Sequence, residues 1–436
     1  MTRDGLTFRR YWTPTPGGLA RPAGEDLAEG LRHHLDQATR AQLRGADGAV
    51  GSHLSAGFDS AAVTATAARL LAAQGGRVTA FTAVPREGYD EPAPPDRIAD
   101  EGPLAAATAA MYPNLEHVLV RSGHHNPVED IDRNFYLFDR PLLNLCNWKW
   151  LAAINGAARE RKLAVMLTGQ MGNMTISYSG MELLAELLRA GRWAELFRVG
   201  GALTARKEMR WRGVVAGSVG AYVPPRLWRL VSKLWDRDFN LLEYTAIRPD
   251  RLDEMNLPEL AKERSVDFAY RPRRNGFETR IWVMGRVSLG NYNKGILAGW
   301  GVDQRDPTAD RRLVEYCLGV PMHAFLSHGE PRALGRRALA DRLPHAVLNE
   351  RRKGYQAADW HEGLTAARAE IEAEVSRLAE CGPAAQTLDL GRLRVLLDNW
   401  PERGWERNGV LNAYRFALLR GVSAGHFLRR ASGANS

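Results

Sequence analysis

Leu54-Ser55-Ala56-Gly57-Phe58-Asp59-Ser60 is the stretch of this chain that decides the fold. An apolar run, 48–54, leads into it and predicts a short buried strand, and an alanine-rich segment, 61–71, follows and predicts a helix. Backbone N–H groups at such a helix start lack intrahelical acceptors, and the helix dipole favours an anion there. Ser55, Gly57 and Ser60 are therefore placed to hold phosphate oxygens. An ordinary strand-to-helix turn is the alternative at this point, because short motifs often match by chance.

The alternation of strands and helices continues beyond this turn. A helix over 27–43 precedes the first strand, further strands are predicted at 77–84, 116–120 and 163–167, and further helices at 100–111 and 144–159. This pattern predicts an α/β fold with a doubly wound parallel sheet, whose ligands bind at the carboxyl edge of the strands.

Composition restricts the class of protein. The chain has 436 residues, 45% of them hydrophobic, and a net charge of +9, which fits a globular protein. No basic stripe interleaved with aromatic residues is present, so we expect no nucleic-acid partner. Cys146, Cys317 and Cys381 have no CxxC spacing and are expected to be reduced core thiols. No signal-like apolar region follows Met1 and no long apolar run occurs, so we expect a cytoplasmic protein without membrane contact.

The sequence predicts five regions. Residues 1–25 form an extended connector, 26–180 the α/β core that binds the nucleotide, 181–270 a helical extension rich in Trp and Arg, 271–425 a large helical substrate and catalytic portion, and 426–436 a flexible tail. In the extension, Trp193, Phe197, Trp211, Trp228 and Trp235 lie among many arginines. We interpret these aromatic residues as core, with the arginine stems lying over them; the alternative is an amphipathic surface for a partner or a membrane.

Ser55-Ala56-Gly57-Phe58-Asp59-Ser60 resembles the Ser-Gly-Gly-x-Asp-Ser pyrophosphate loop (PP-loop) of the ATP pyrophosphatases, and its surroundings resemble the synthetase domain of the asparagine synthetase family. It is not a Walker loop, which would need Gly-Lys-Ser/Thr. The resemblance implies a fold of the adenine nucleotide α-hydrolase type and the cofactors ATP and Mg²⁺. It also implies attack of a carboxylate at the α-phosphorus, giving an acyl-adenylate and pyrophosphate.

The resemblance also implies which residues hold the nucleotide. Phe81 and Thr82 end the second strand, where the adenine docks in this family, and 168–174 resembles the family's Ser-Gly-x-Gly-x-Asp-Glu loop, with Asn173 about where the metal-binding aspartate stands. A carboxylate beside phosphate needs a cation between them, so Asp59 and Asn173 are the candidate Mg²⁺ ligands; an N-cap role is the alternative for Asp59. The full set of candidate nucleotide-binding residues is Leu54, Ser55, Ala56, Gly57, Phe58, Asp59, Ser60, Phe81, Thr82, Thr168, Gly169, Gln170 and Gly172.

Two further segments imply catalytic residues. Residues 301–310 resemble the family's Gly-x-Glu-x-Arg-x-Pro-Phe-x-Asp signature, with Asp303 at the glutamate that positions the amine or accepts its proton and with Arg305 and Asp310 matching in place. A structural ion-pair network is the alternative. Residues 349–356 resemble the loop of the family's catalytic lysine, which implies that Lys353 stabilises the negative charge formed as the amine attacks. A solvated surface charge is the alternative for Lys353.

The function implied is an ATP-dependent, AMP-forming amide ligase acting on an aspartate-like carboxylate. In this family an aromatic-proline connector like 11–18 follows a glutaminase domain whose first residue is a nucleophilic cysteine. This sequence starts at the connector, with Met1 followed by Thr2, so we expect no glutaminase domain here and no glutamine hydrolysis. Ala56, Asn173 and Asp303 depart from the family pattern. The alternatives are therefore a lasso-peptide (macrolactam) cyclase, which joins a peptide side-chain carboxylate to an internal amine, and a non-catalytic ATP-binding regulator. Expected partners are a small-molecule or peptide carboxylate and a separate amidotransferase or precursor-peptide-binding protein.

Overall fold

A computed structural model of the chain describes residues 9–18, 26–122, 125–234, 241–264, 266–267 and 270–433. Its centre is a five-stranded parallel sheet with strand order β4-β2-β1-β5-β6, and a separate parallel pair is formed by β3 and β7. The strands are β1 (Ala49–His53), β2 (Arg77–Val84), β3 (Arg97–Ile98), β4 (Leu115–Arg121), β5 (Val165–Leu167), β6 (Asp303–Arg305) and β7 (Lys353–Gly354). The predicted α/β class and parallel sheet are confirmed.

Helices cover both faces of the sheet and form most of the second half of the chain. The first half contains α1 (Leu27–Gln42), α2 (Phe58–Ala72), α3 (Gly102–Ala109), α4 (Ile131–Phe138), α5 (Leu145–Glu160), α6 (Leu183–Arg189), α7 (Trp193–Ala205) and α8 (Trp211–Val219). They are followed by α9 (Pro225–Leu234), α10 (Leu241–Tyr244), α11 (Pro249–Glu254), α12 (Leu257–Glu263), α13 (Gly276–Met284), α14 (Gly290–Trp300), α15 (Arg311–Gly319) and α16 (Met322–Phe325). The last are α17 (Ala333–Ala338), α18 (His345–Asn349), α19 (Trp360–Ala366), α20 (Arg368–Glu380), α21 (Gly382–Thr387), α22 (Leu390–Asp398), α23 (Asn408–Val410) and α24 (Leu419–Ala431). Short 3₁₀ turns lie at Gly172–Met174 and Pro307–Ala309, and a π-helical segment spans Leu411–Leu418.

Two hydrophobic clusters lie on opposite faces of the sheet. On β5, Val165 and Leu167 belong to one cluster and Met166 to the other, because successive side chains of a strand point to opposite faces. The first cluster joins the sheet to α1 and α2, and the second joins it to α5 and the helices near the C-terminus. The three cysteines are buried and free, as expected.

The region 271–425 is largely helical, but two short strands that the sequence does not predict, β6 and β7, also lie in it. It contributes β6, whose residues Asp303 and Arg305 pair in register with Val165 and Leu167 of β5. A strand of three polar residues has no apolar alternation for sequence analysis to detect. Its pairing is decided by β5, which offers a free edge more than a hundred residues earlier in the chain.

The end of the chain also differs from the prediction. Helix α24 runs to Ala431, so the flexible tail expected from residue 426 is wrong for the helical residues 426–431. His426 is only 2% exposed, and its ring nitrogens lie 2.9 Å from Glu374 Oε1 and 3.1 Å from Asp132 Oδ1. These contacts to α20 and α4 hold the last helix against the second cluster.

The aromatic residues of 181–270 do not all enter the core. Trp228 is 6% exposed, but Trp193 is 56%, Phe197 64% and Trp211 48% exposed. Helices α6, α7 and α8 pack on one another, which leaves the outer faces of α7 and α8 uncovered by other described residues. The interpretation of these three side chains as core is therefore wrong; Trp235 lies outside the described residues. Within the described part of the chain, no helix has the length and apolar character needed to cross a membrane.

Candidate functional site

The turn between β1 and α2 is closed by its own serine hydroxyls. The Ser55 N–H donates to Ser60 Oγ at 3.1 Å, the two serine oxygens are 2.7 Å apart, and the Gly57 N–H donates to Ser55 Oγ at 3.0 Å. Gly57 is extended and exposed, and the helix begins at Phe58. The local sequence therefore produces a compact turn that presents backbone N–H groups and two hydroxyls at the start of α2.

A second turn, 168–173, packs directly onto the first. A Cβ atom at Gly172 would lie 2.3 Å from the Asp59 carboxyl carbon, and one at Gly169 would lie 2.9 Å from the Asp59 carbonyl carbon. Only glycine permits this approach. The Met171 N–H donates to Asp306 Oδ2 at 2.8 Å, which fixes the second turn to the segment after β6. Three distant parts of the chain thus meet at Asp59.

A cavity of about 450 Å³ opens at this junction, at the carboxyl edge of the sheet. Helix α5 contributes Asn147, Trp150, Leu151 and Ile154, whose spacing places them on one helical face. The other residues of the wall are His53, Leu54, Ser55, Gly57, Asp59, Ser60, Phe81, Ala83, Glu101, Thr168, Gly169, Gln170, Asn173 and Gln356. The cavity therefore combines an apolar wall with the polar groups of the two turns.

Four of the candidate nucleotide-binding residues do not line this cavity. The Ala56 N–H donates to Glu101, and the Phe58 side chain is 6% exposed in the hydrophobic core. Thr82 points away because Phe81 and Ala83 on either side of it face the cavity, and its hydroxyl lies 2.8 Å from His117 Nε2. Gly172 lies behind Asp59, where it serves the packing of the two turns.

Asp59 is under electrostatic strain in this arrangement. Its Oδ1 is buried without a hydrogen-bond partner among the described residues. Burial raises the pKa of its carboxyl to about 6, and Asp306 adds to this effect, while Ser177 and Arg332 oppose it. A bound cation would relieve this strain, since it would supply the missing partner of the carboxylate.

The donor set fits a magnesium ion held jointly with phosphate. Asp59 and Asn173 both line the cavity, and Ser177, which donates to Asn173 Oδ1 at 3.4 Å, also lies beside Asp59. Magnesium is usually bound by one or two carboxylates together with substrate phosphates and water. Among the described residues there is no group of three His, Cys, Asp or Glu side chains arranged to hold a metal by themselves.

The Lys353 strand reaches the site through Glu101. The Lys353 N–H donates to Asp96 O at 3.1 Å in the β3–β7 pair, and a Cβ at Gly354 would lie 2.2 Å from the Glu101 carboxyl carbon. Glu101 in turn accepts the Ala56 N–H at 3.2 Å. The Lys353 side chain is exposed and is not part of the cavity wall, whereas Gln356, three residues later, is.

Glu101 and the α5 face were not identified from the sequence. Glu101 is 7% exposed, and burial raises the pKa of its carboxyl to about 7. The sequence places Glu101 only in the helix predicted over 100–111, and no local signal distinguishes a residue at a helix start from one that also lines a cavity. For α5 a signal existed, because Asn147, Trp150, Leu151 and Ile154 follow the i, i+3, i+4, i+7 spacing of one face.

Asp303 and Arg305 lie outside the cavity. Arg305 pairs with Asp303 at 2.8 Å and donates to the backbone oxygens of Gln42 and Arg44, both at 2.6 Å. It thus fixes the end of α1 to the sheet edge. Asp310 caps α15 by accepting the Arg312 N–H at 2.9 Å. These residues lie in ion pairs and a helix cap, which fits the ion-pair alternative for this signature, and their catalytic role stays a prediction.

Comparison with known proteins gives the same family as the motifs. The model of the family described as asparagine synthase matches residues 30–418. Over 358 residues the chain is 24% identical to asparagine synthetase [glutamine-hydrolyzing] 3 of Bacillus subtilis (strain 168), a match that covers 81% of this chain and 52% of that protein. The chain spans about half the length of this curated relative. Since the family match includes both turns of the cavity and the Lys353 strand, the chain belongs to the asparagine synthase family.

Proposed function

We propose that this protein uses ATP to activate a carboxylate as an acyl-adenylate, releasing pyrophosphate, and that an amine then displaces AMP to form an amide. The observation that carries this proposal is the meeting of the two glycine-containing turns at Asp59, beside a cavity at the carboxyl edge of a parallel sheet. Nucleotides bind at such edges in open α/β sheets. Membership of the asparagine synthase family supports the same chemistry.

The cavity wall divides into groups suited to the two ends of ATP. Trp150 and Leu151 offer apolar surface for the base, and Ser55 and Ser60 offer hydroxyls beside the N–H groups at the start of α2. The Phe81 side chain is 0% exposed and packs in the second cluster. His53 adds no charge to the wall, because burial lowers its pKa to about 4. Mg²⁺, when bound with ATP, would neutralise phosphate charge, and Asp59 and Asn173 would hold it.

Lys353 and Glu101 are the proposed catalytic groups. The Lys353 ammonium is proposed to stabilise the charge that develops on the carbonyl and phosphate oxygens as the amine attacks. Glu101 lines the cavity, and the raised pKa of its carboxyl, about 7, suits it to accept the proton lost by the attacking amine. Asp303 is not assigned this proton transfer because it does not line the cavity.

The test is exchange of labelled pyrophosphate into ATP by the purified protein with a panel of carboxylates. We expect exchange that requires both Mg²⁺ and a suitable carboxylate and that is lost in Asp59→Asn. Asp253→Asn, an exposed aspartate on α11, is the matched control and should behave as the unmodified protein. Binding of ATP without exchange for every carboxylate would refute the proposal and favour a non-catalytic regulator.

A further inference from the structure

A second cavity, of about 250 Å³, adjoins the nucleotide cavity. The two share Asn147, Leu151 and Gln170 in their walls. The remaining wall of the second cavity consists of Leu142, Leu143, Asn144, Trp148, Leu289, Tyr292, Asn293, Ile296 and Gln304. A carboxylate that reacts at the α-phosphorus of ATP must lie next to the nucleotide, so this cavity is placed to hold the acyl group.

No residue that lines the second cavity carries a charge. Its polar groups are side-chain amides, an indole and a phenol, and the rest of its wall is aliphatic. Strand β6 contributes an uncharged side chain to this wall and keeps its two charged side chains away from it. Gln304 faces inward, 3.4 Å from Asn155 Oδ1, whereas the charged residues on either side of it, Asp303 and Arg305, pair with each other at 2.8 Å on the opposite face.

Three arginines that contact residues of this wall, Arg140, Arg415 and Arg420, have neutral partners. Arg415 donates to Asn147 Oδ1 at 2.8 Å and to a backbone oxygen at 2.6 Å, and Arg420 donates to Leu143 O at 3.0 Å. The Arg140 guanidinium lies 5.1 Å from the ring centre of Tyr292. None of these three arginines lines the cavity.

We propose that the substrate is a carboxylic acid whose reacting carboxylate has no second charged group nearby and is attached to peptide-like amides and apolar groups. It is therefore not a free amino acid. This inference rests on the proposed function. Free aspartate would bring an ammonium and a second carboxylate into a cavity without countercharges, and burial of an unpaired charge is strongly unfavourable. Side-chain amides, in contrast, can both donate to and accept from the amides of a peptide.

The experiment compares two acids that share the same reacting carboxylate. Exchange of labelled pyrophosphate into ATP is measured with free L-aspartate and with N-acetyl-L-aspartic acid α-amide, and then with short amidated apolar peptides that contain aspartate or glutamate. We expect kcat/KM for the blocked acid to exceed that for free aspartate at least tenfold.

A variant at the rim tests whether the cavity causes this preference. Leu143 lines the cavity and is 56% exposed, so Leu143→Arg adds a cation without filling the core, and it should lower the preference about tenfold. Val395→Arg, equally exposed on α22, is the control and should leave the preference unchanged. Exchange that favours free aspartate would overturn the inference and leave the ligase proposal standing. Exchange with no acid of the panel would overturn the proposed function and this inference with it.

Discussion

Gly172→Ala tests whether the contact between the two turns forms the nucleotide site. The added Cβ would lie 2.3 Å from the Asp59 carboxyl carbon and 2.6 Å from its Cβ. Ordinary contacts between carbon atoms are about 3.5–4.0 Å. The second turn, or Asp59 itself, must therefore move by about 1 Å, directly at the proposed phosphate and metal site.

The expected effect on function is larger than the effect on stability. Overpacking by one methyl group costs about 1–3 kcal/mol of folding free energy. A displacement of about 1 Å among reacting groups can lower a rate about 100-fold. We therefore expect Gly172→Ala to remain folded, to bind ATP more weakly, and to lose pyrophosphate exchange by about two orders of magnitude.

The assay pairs titration calorimetry of ATP with the exchange rate, and thermal unfolding monitors the fold. Gly156→Ala is the matched control because a Cβ at Gly156 meets no atom within 4 Å and the residue lies inside α5, away from the cavity face. It should raise the free energy of unfolding by about 0.5–1 kcal/mol and leave ATP binding unchanged. A folded Gly172→Ala variant with unaltered ATP affinity and exchange would refute the role assigned to this contact.

Three further predictions concern charged residues inside and outside the cavity. Asp59→Asn should raise the free energy of unfolding of the nucleotide-free protein at pH 7 by up to about 3 kcal/mol, because burial moves the pKa of this carboxyl from 3.8 to about 6. The folded protein holds this proton more tightly than the unfolded chain. The stabilisation that the protonated carboxyl contributes is therefore present below pH 3.8 and lost as the pH rises through 6. Denaturant unfolding should show a difference in unfolding free energy between Asp59→Asn and the unmodified protein at pH 8 but not at pH 4. Lys353→Met should lower the rate of amine-dependent AMP release, measured with a carboxylate that supports exchange, about 100-fold, whereas Arg352→Met, whose guanidinium pairs with Glu350 at 2.8 Å, should retain it; equal losses would contradict the role of Lys353. Arg305→Ala should lower the melting temperature by about 2 °C or more, because two contacts to the end of α1 are lost. Calorimetry should show unaltered ATP affinity. A loss of exchange without a loss of stability would instead indicate a catalytic role for Arg305.

Much of the first half of the fold follows from local sequence. The predicted helix 27–43 and strand 77–84 correspond to α1 and β2, and the turn at 54–60 lies between a strand and a helix as expected. These elements carry apolar periodicity and small residues within one short window, so each can be predicted without knowledge of its neighbours. The assignment of Asp59 as a Mg²⁺ ligand came instead from the motif resemblance and from the need for a cation between a carboxylate and phosphate, and it stays a prediction.

Contacts between distant segments decided the rest. Strand β6 exists because β5 offers it an edge, Glu101 matters because Gly354 packs against it, and Gln304 lines a cavity while Asp303 and Arg305 do not. Sequence periodicity shows which face of an element is apolar, but not which remote segment covers that face. The sequence by itself therefore determined the parallel sheet and the turn at 54–60, whereas only the tertiary structure decided which remote segments complete the cavity walls, because those walls are built from segments up to three hundred residues apart.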